Sequence, residues 1–260
     1  MDQARFSEAC RWALSQEAGR QGIGTLGEKT LHSAVKYYFQ PDPGKREVKL
    51  GPYWADAVTE EGVLEIQTAS FHRLRPKLEY LLPQQAVTVV YPVAARKTLV
   101  WVTEEGETTP PRKSPLKPTQ GQVLWELYQV RDLLAHPNLR LCVLLLEVEE
   151  YRLLNGWSKD KKRGATRFER MPLSLLGEVW VRGPEEYGRL LPEGLPRLFT
   201  SRELGKAVGL PPKKATLAAN VLRNLGAIRQ EGKRGNAYLY TVSGERRGPS
   251  QPGLAPSSQL

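Results

Sequence analysis

Gly51-Pro52-Tyr53-Trp54-Ala55-Asp56-Ala57-Val58, the turn Thr59-Glu60-Glu61-Gly62 and the run Val63-Leu64-Glu65-Ile66-Gln67-Thr68 form the stretch whose reading decides the fold. In a strand alternate side chains share a face, so Glu65 and Gln67 project together while Leu64 and Ile66 face the other way. Two antiparallel strands joined at Glu61-Gly62 bring Asp56 and Glu65 side by side, with an amide next to them. Paired carboxylates that bind a hard divalent cation through oxygen suit the cutting of phosphodiesters. The inference depends on register, because a one-residue slip turns one acid to the opposite face.

Working outward, residues 3–19 predict a helix with Phe6, Cys10, Trp12 and Leu14 as candidate packing residues. Gly22, Gly24 and Gly27 break it. Leu31, Ala34, Val35 and Tyr38 then recur at helical spacing over 28–39, with Glu28 on the same stripe at the helix start. Strands are expected at 46–50, 53–58 and 63–68, a basic helix at 71–82, and β-branched strands at 87–91 and 98–102. A Pro-rich basic loop covers 110–118, a helix is expected over 121–135, and Leu139 to Leu146 predicts a buried strand. Residues 157–170 hold six lysines and arginines against two acids, interleaved with Trp157 and Phe168. That pattern suits a nucleic-acid groove, or else a solvated loop.

The order helix, three strands, helix, strand, together with Asp56 and Glu65-Ile66-Gln67, resembles the PD-(D/E)xK, or restriction-endonuclease-like, nucleases. The resemblance spans roughly residues 26–102. It implies an α/β fold with an αβββαβ core and a mixed sheet. It also implies Asp56 and Glu65 as ligands of Mg²⁺ or Mn²⁺, and Gln67, where the family usually has lysine, as an amide that positions water. Glu28 matches the inward glutamate often found on the family's first helix, as auxiliary ligand or base. It equally suits an acid at a helix N-terminus. Ala55 stands where the family's proline would be.

From Gly183 the composition changes, and Pro184, Pro192, Gly194 and Pro196 mark an expected boundary. Thr200 and Glu203 form a capping-box pattern, and Gly209 ends the helix that follows. Pro211-Pro212 opens a second helix with Leu217, Val221, Leu222 and Leu225 as its buried stripe. A basic turn at 231–236 and the alternating run 237–242 come next. Helix, turn, helix and basic hairpin resemble a winged helix-turn-helix. The expected organisation is a nuclease-like domain over 1–183, a winged-helix domain over 184–243 and a disordered tail over 244–260.

The chain has 260 residues, a net charge of +10 and only two cysteines. A basic balance of that size favours nucleic acid as partner, and two cysteines without CxxC exclude disulfide scaffolds and zinc ribbons. The longest apolar run is far below the ~20 residues of a membrane helix, so no membrane is expected and the location is taken as cytoplasmic. No GxxxxGK[ST] loop supports an NTPase. The reading is a metal-dependent DNA endonuclease, its rival a non-catalytic DNA-binding regulator on a degenerate nuclease-like scaffold. Expected DNA contacts are Arg73, Arg75 and Lys77 on the basic helix, and Lys161, Lys162 and Arg163 in the basic stretch. Lys213, Lys214, Asn220 and Arg223 on the second C-terminal helix and Lys233 and Arg234 on the wing complete the set. RNA as target and a homodimer stay open.

Overall fold

A computed structural model describes residues 1–18, 29–103, 105–155 and 164–243. Glu28, Trp157, Lys161, Lys162, Arg163 and the 244–260 tail lie outside the described residues. The fold is mixed α/β, with helices on both faces of a seven-stranded mixed sheet.

Helices α1 (Gln3–Ala18) and α2 (Lys29–Phe39) lead into strands β1 (Arg46–Leu50), β2 (Tyr53–Thr59) and β3 (Gly62–Ile66). Helix α3 (Phe71–Leu81) follows, then β4 (Val87–Val102), the short β5 (Arg112–Lys113) and helix α4 (Leu124–Leu127). Strands β6 (Leu139–Leu153) and β7 (Thr166–Val181) complete the sheet. Its order is β1-β2-β3-β4-β6-β7, with β5 paired to β4. The β3–β4 and β4–β6 pairs are parallel and the others antiparallel.

Periodicity explains which side each helix covers. Leu31, Ala34, Val35 and Tyr38 of α2 are buried, as their spacing predicts, and pack with Phe6, Ala9 and Ala13 of α1 over Leu64, Ile66, Val90 and Leu144. Phe6 meets Tyr38 edge-on at 5.4 Å, and Trp12 stacks on Tyr37 at 4.7 Å. Leu14, expected in this core, is 40% exposed because α1 packs through Phe6, Ala9 and Ala13 instead. On the other sheet face lie Phe71, Leu74 and Leu78 of α3 with Leu124 and Leu127. Each such fully buried side chain stabilises the fold by about 1.5–3 kcal/mol.

Several elements differ from expectation. The strands expected at 87–91 and 98–102 are one strand with an irregularity between Ala94 and Arg96. The helix expected over 121–135 is short α4 between 3₁₀ turns at Gln120–Val123 and Tyr128–Val130. The strand expected at 139–146 continues to Leu153, and β7 was not anticipated at all. Gln67 leaves β3, which ends at Ile66.

Beyond β7 come α5 (Ser201–Val208), α6 (Pro212–Asn224) and a hairpin of β8 (Ile228–Arg234) and β9 (Ala237–Val242). The Thr200–Glu203 capping box is formed, and Gly209 sits in the left-handed region at φ +72°. The buried face of α6 is Ala215, Ala218, Ala219, Val221 and Leu222, while Leu217 and Leu225 are only half-buried. The small alanines let α6 approach closely, which moves its buried face away from Leu217. The core continues across the composition break at Gly183. Phe199, Leu204, Val208, Leu222 and Ile228 share one cluster with α3, α4 and the sheet.

The β2–β3 turn needs its glycine. Gly62 has φ +120°, and a Cβ there would lie 2.3 Å from the Ala86 carbonyl oxygen, which accepts the Val63 N–H. Gly62→Ala is expected to destabilise the fold by about 1–3 kcal/mol, read as a lower urea midpoint at unchanged slope.

Candidate active site

The β2–β3 hairpin sets the geometry. Thr59 pairs with Gly62, Val58 with Val63 and Ala57 with Leu64, and Asp56 and Glu65 stand one residue beyond this last paired row. Helix α3 approaches this row through Lys77, and α2 through His32 and Lys36.

Glu65 is buried, 4% exposed, on a strand whose other side chains are apolar. Its Oε2 accepts a 2.5 Å hydrogen bond from Lys77 Nζ, which also donates to the Trp54 carbonyl oxygen. Its Oε1 is buried with no hydrogen-bond partner. Burial, and then the neighbouring Asp56 charge, push the Glu65 carboxyl up to about 7 against the pull of Lys77.

Asp56 is held the opposite way. Its Oδ1 lies 3.1 Å from His32 Nε2 and 3.8 Å from Lys36 Nζ, and its Oδ2 accepts from the Ile66 N–H at 2.7 Å. Burial raises its carboxyl, but His32, the Ile66 N–H and Lys36 together hold it below the ordinary range. Two adjacent acids with environments that part their protonation are the arrangement expected of an acid–base or metal site.

Gln67 follows directly, its N–H bonded to the Val90 carbonyl oxygen and its Nε2 donating to Ala69 O at 2.6 Å. That leaves the amide oxygen as its acceptor. Among the described residues no group of three or more His, Cys, Asp or Glu can hold a metal. Two carboxylates, one with an orphaned buried oxygen, still suit Mg²⁺, which keeps several waters and takes phosphate oxygens as further ligands.

The expected DNA contacts fare unevenly. Arg73 is exposed on α3, but Arg75 is tied to Glu79 and Asp132, and Lys77 belongs to the acidic site. Lys213 and Arg223 are exposed on α6 and Asn220 is half-buried. Lys214 instead lies over the Trp125 ring, 4.3 Å from its centroid, and so helps fasten α6 to α4. Lys233 is exposed beside Tyr238, and Arg234 bonds Glu203 at 3.1 Å.

Three site residues were not read from the sequence: His32, Lys36 and, in this role, Lys77. His32 and Lys36 stand four apart on α2, so they share a face, which is the only local signal they give. Lys77 is carried to Glu65 by the way α3 packs, which no spacing announces.

Residues 29–182 match the family described as "Domain of unknown function (DUF8091)". A Treponema pallidum (strain Nichols) protein described as uncharacterized is 31% identical over 237 residues, covering 87% of this chain and 91% of that protein. No solved structure matches. The family match runs from α2 to the end of β7 and takes in His32, Lys36, Asp56, Glu65, Gln67 and Lys77. The chain belongs to the DUF8091 family.

Proposed function

We propose that this protein is a divalent-metal-dependent DNA nuclease with a restriction-endonuclease-like core, brought to duplex DNA by a C-terminal winged helix. One observation carries the reading: Asp56 and Glu65 stand on neighbouring strands, near enough for the Asp56 charge to raise the Glu65 carboxyl, with Lys77 bonded to Glu65 and one buried Glu65 oxygen left without a partner. The order α2, β1, β2, β3, α3, β4 is that of the αβββαβ core. Exposed Lys213, Arg223, Lys233 and Arg234 on α6 and the β8–β9 hairpin support DNA as partner. RNA is a second substrate for the same assay.

Asp56 and Glu65 would hold Mg²⁺ or Mn²⁺, which when bound polarises the scissile phosphate and acidifies a water. Lys77 supplies from α3 the ammonium that the resembled motif carries where Gln67 stands here, and meets charge developing on the phosphate. Gln67 accepts a hydrogen bond from the attacking water through its amide oxygen. His32 and Lys36 keep Asp56 ionised.

A second reading has its own support. His32 and the Ile66 N–H occupy both Asp56 oxygens, which favours a metal-free regulator that binds DNA through its C-terminal helices. Its affinity would fall steeply with salt, as phosphate contacts require.

Purified protein is expected to nick plasmid or branched DNA only with Mg²⁺ or Mn²⁺, and Glu65→Gln to abolish nicking while gel-shift affinity stays unchanged. No cleavage of any duplex, branched, single-stranded DNA or RNA substrate with either metal leaves the regulator. The pH profile follows from Glu65. Its carboxyl, raised to about 7, must lose a proton to bind metal, so nicking and Mn²⁺ affinity rise between about pH 6 and about pH 8. Lys77→Ala removes the cation that favours the carboxylate, so the profile moves to higher pH and the plateau rate falls about 100-fold. An unshifted profile would remove Lys77 from the mechanism.

A further inference from the structure

Beyond the acidic site, β4, β6 and β7 run on together as a three-stranded arm. On it the structure brings Arg112 and Arg152, far apart in the sequence, to one cavity. Trp101 of β4 pairs in register with Arg152 of β6, and Arg112 of β5 pairs with Leu99. Trp101, Arg112 and Arg152, with Pro110 and Leu154, line a cavity of about 480 Å³, within the range of small-ligand sites, about 300–1,000 Å³. Val90, level with the end of β3, is eleven residues from Trp101, which at ~3.3 Å per residue separates the cavity from the acids by roughly 35 Å.

The cavity's charge is built from below. Glu150 is 1% exposed and accepts from three cations: Arg152 through Nε at 2.8 Å and Nη2 at 2.6 Å, Arg170 at 3.1 Å and Lys97 at 3.3 Å. One carboxylate among three cations leaves the cluster positive and fixes Arg152 where it borders the cavity. Burial opposes the Glu150 charge, but Arg152, Lys97 and Arg170 outweigh it and hold the carboxyl down to about 2, so the anchor persists at any working pH. Arg112 is exposed and makes no side-chain bond among the described residues.

We propose that this cavity binds a nucleotide unit, with the base stacked on the Trp101 indole between Pro110 and Leu154 and the phosphate held by Arg112 and Arg152. The unbonded Arg112 fork matches two phosphate oxygens at once, Arg152 adds the N–H groups that Glu150 does not take, and an indole accepts any base by its flat face. An acidic peptide would use the cations but leave the apolar slot unfilled. The site stands apart from Asp56 and Glu65 and holds whether or not they cut DNA.

Photo-cross-linking of the full chain with a short 4-thiothymidine oligonucleotide, followed by peptide mapping, tests it. An adduct at Trp101 is expected, displaced by thymidine monophosphate more effectively than by inorganic phosphate. Arg112→Glu, an exposed position that leaves thermal stability unchanged, should lower the yield of this adduct about tenfold, the scale of one hydrogen bond to a charged group. An oligonucleotide that competes better than the mononucleotide assigns the cavity to a strand. Equal competition assigns it to free nucleotides of the same chemistry. Adducts confined to other surfaces, an unchanged yield in Arg112→Glu, or phosphate competing as well as the nucleotide would overturn the proposal. So would displacement by an acidic peptide but not by the mononucleotide.

Discussion

One ammonium group makes the acidic site tolerable to the fold. Two neighbouring carboxylates of a half-buried hairpin repel each other, and burial raises the cost of each charge. Lys77 meets that cost by reaching from α3 to Glu65 and to the Trp54 carbonyl oxygen, so it ties helix, β2 and β3 together at one atom. Asp56 is served from the opposite side by α2. The hairpin is therefore clamped between the two helical layers at the point where its charge is concentrated, and the carboxyl it leaves raised, Glu65, is also the more buried of the two.

The same layering governs the C-terminal helices. A cluster that runs from Phe71 and Leu78 through Leu124 to Val208 and Leu222 ties α5 and α6 to the sheet. Gly121 shows how close that contact is, since a Cβ there would lie 2.4 Å from Val208. The Tyr187 hydroxyl donates to Leu134 O and Lys214 covers Trp125. Whatever α6 and the hairpin contact is thus held at a set distance from Asp56 and Glu65, without a slack tether between them.

The β2–β3 hairpin was legible from its turn residues, although the turn is Glu60-Glu61, with Gly62 already in β3, and not Glu61-Gly62 as expected. Leu31, Ala34, Val35 and Tyr38 were legible because an apolar stripe has one solution. His32, Lys36 and Lys77 were not, since each reaches the site from another element. Strand β7 was hidden by its charges, by Pro172 and by three register shifts against β6, which together erase alternation. Pro92, just past the strand expected at 87–91, lies inside β4. Ala86 and Val90 direct their carbonyls toward β3, so Pro92 turns its nitrogen the same way, two residues past the last pairing with β3. A proline costs a strand nothing where no neighbour wants its N–H.

That vacancy also explains the arm. Past Val93 on β4 and Val148 on β6 the buried apolar clusters end, while β4, β6 and β7 continue for several residues. This stretch of sheet, beyond those clusters, needs another reason to keep its register. Glu150 provides one, because its oxygens accept from β4, β6 and β7 at once and a slip of any strand would strand a buried charge. Replacing such a cluster by apolar side chains can stabilise a fold, so its presence here is better explained by what the surplus cations offer at the surface. The arm is longer than the core requires, and its outer end is where Arg112, Arg152 and the half-buried Trp101 indole line one cavity.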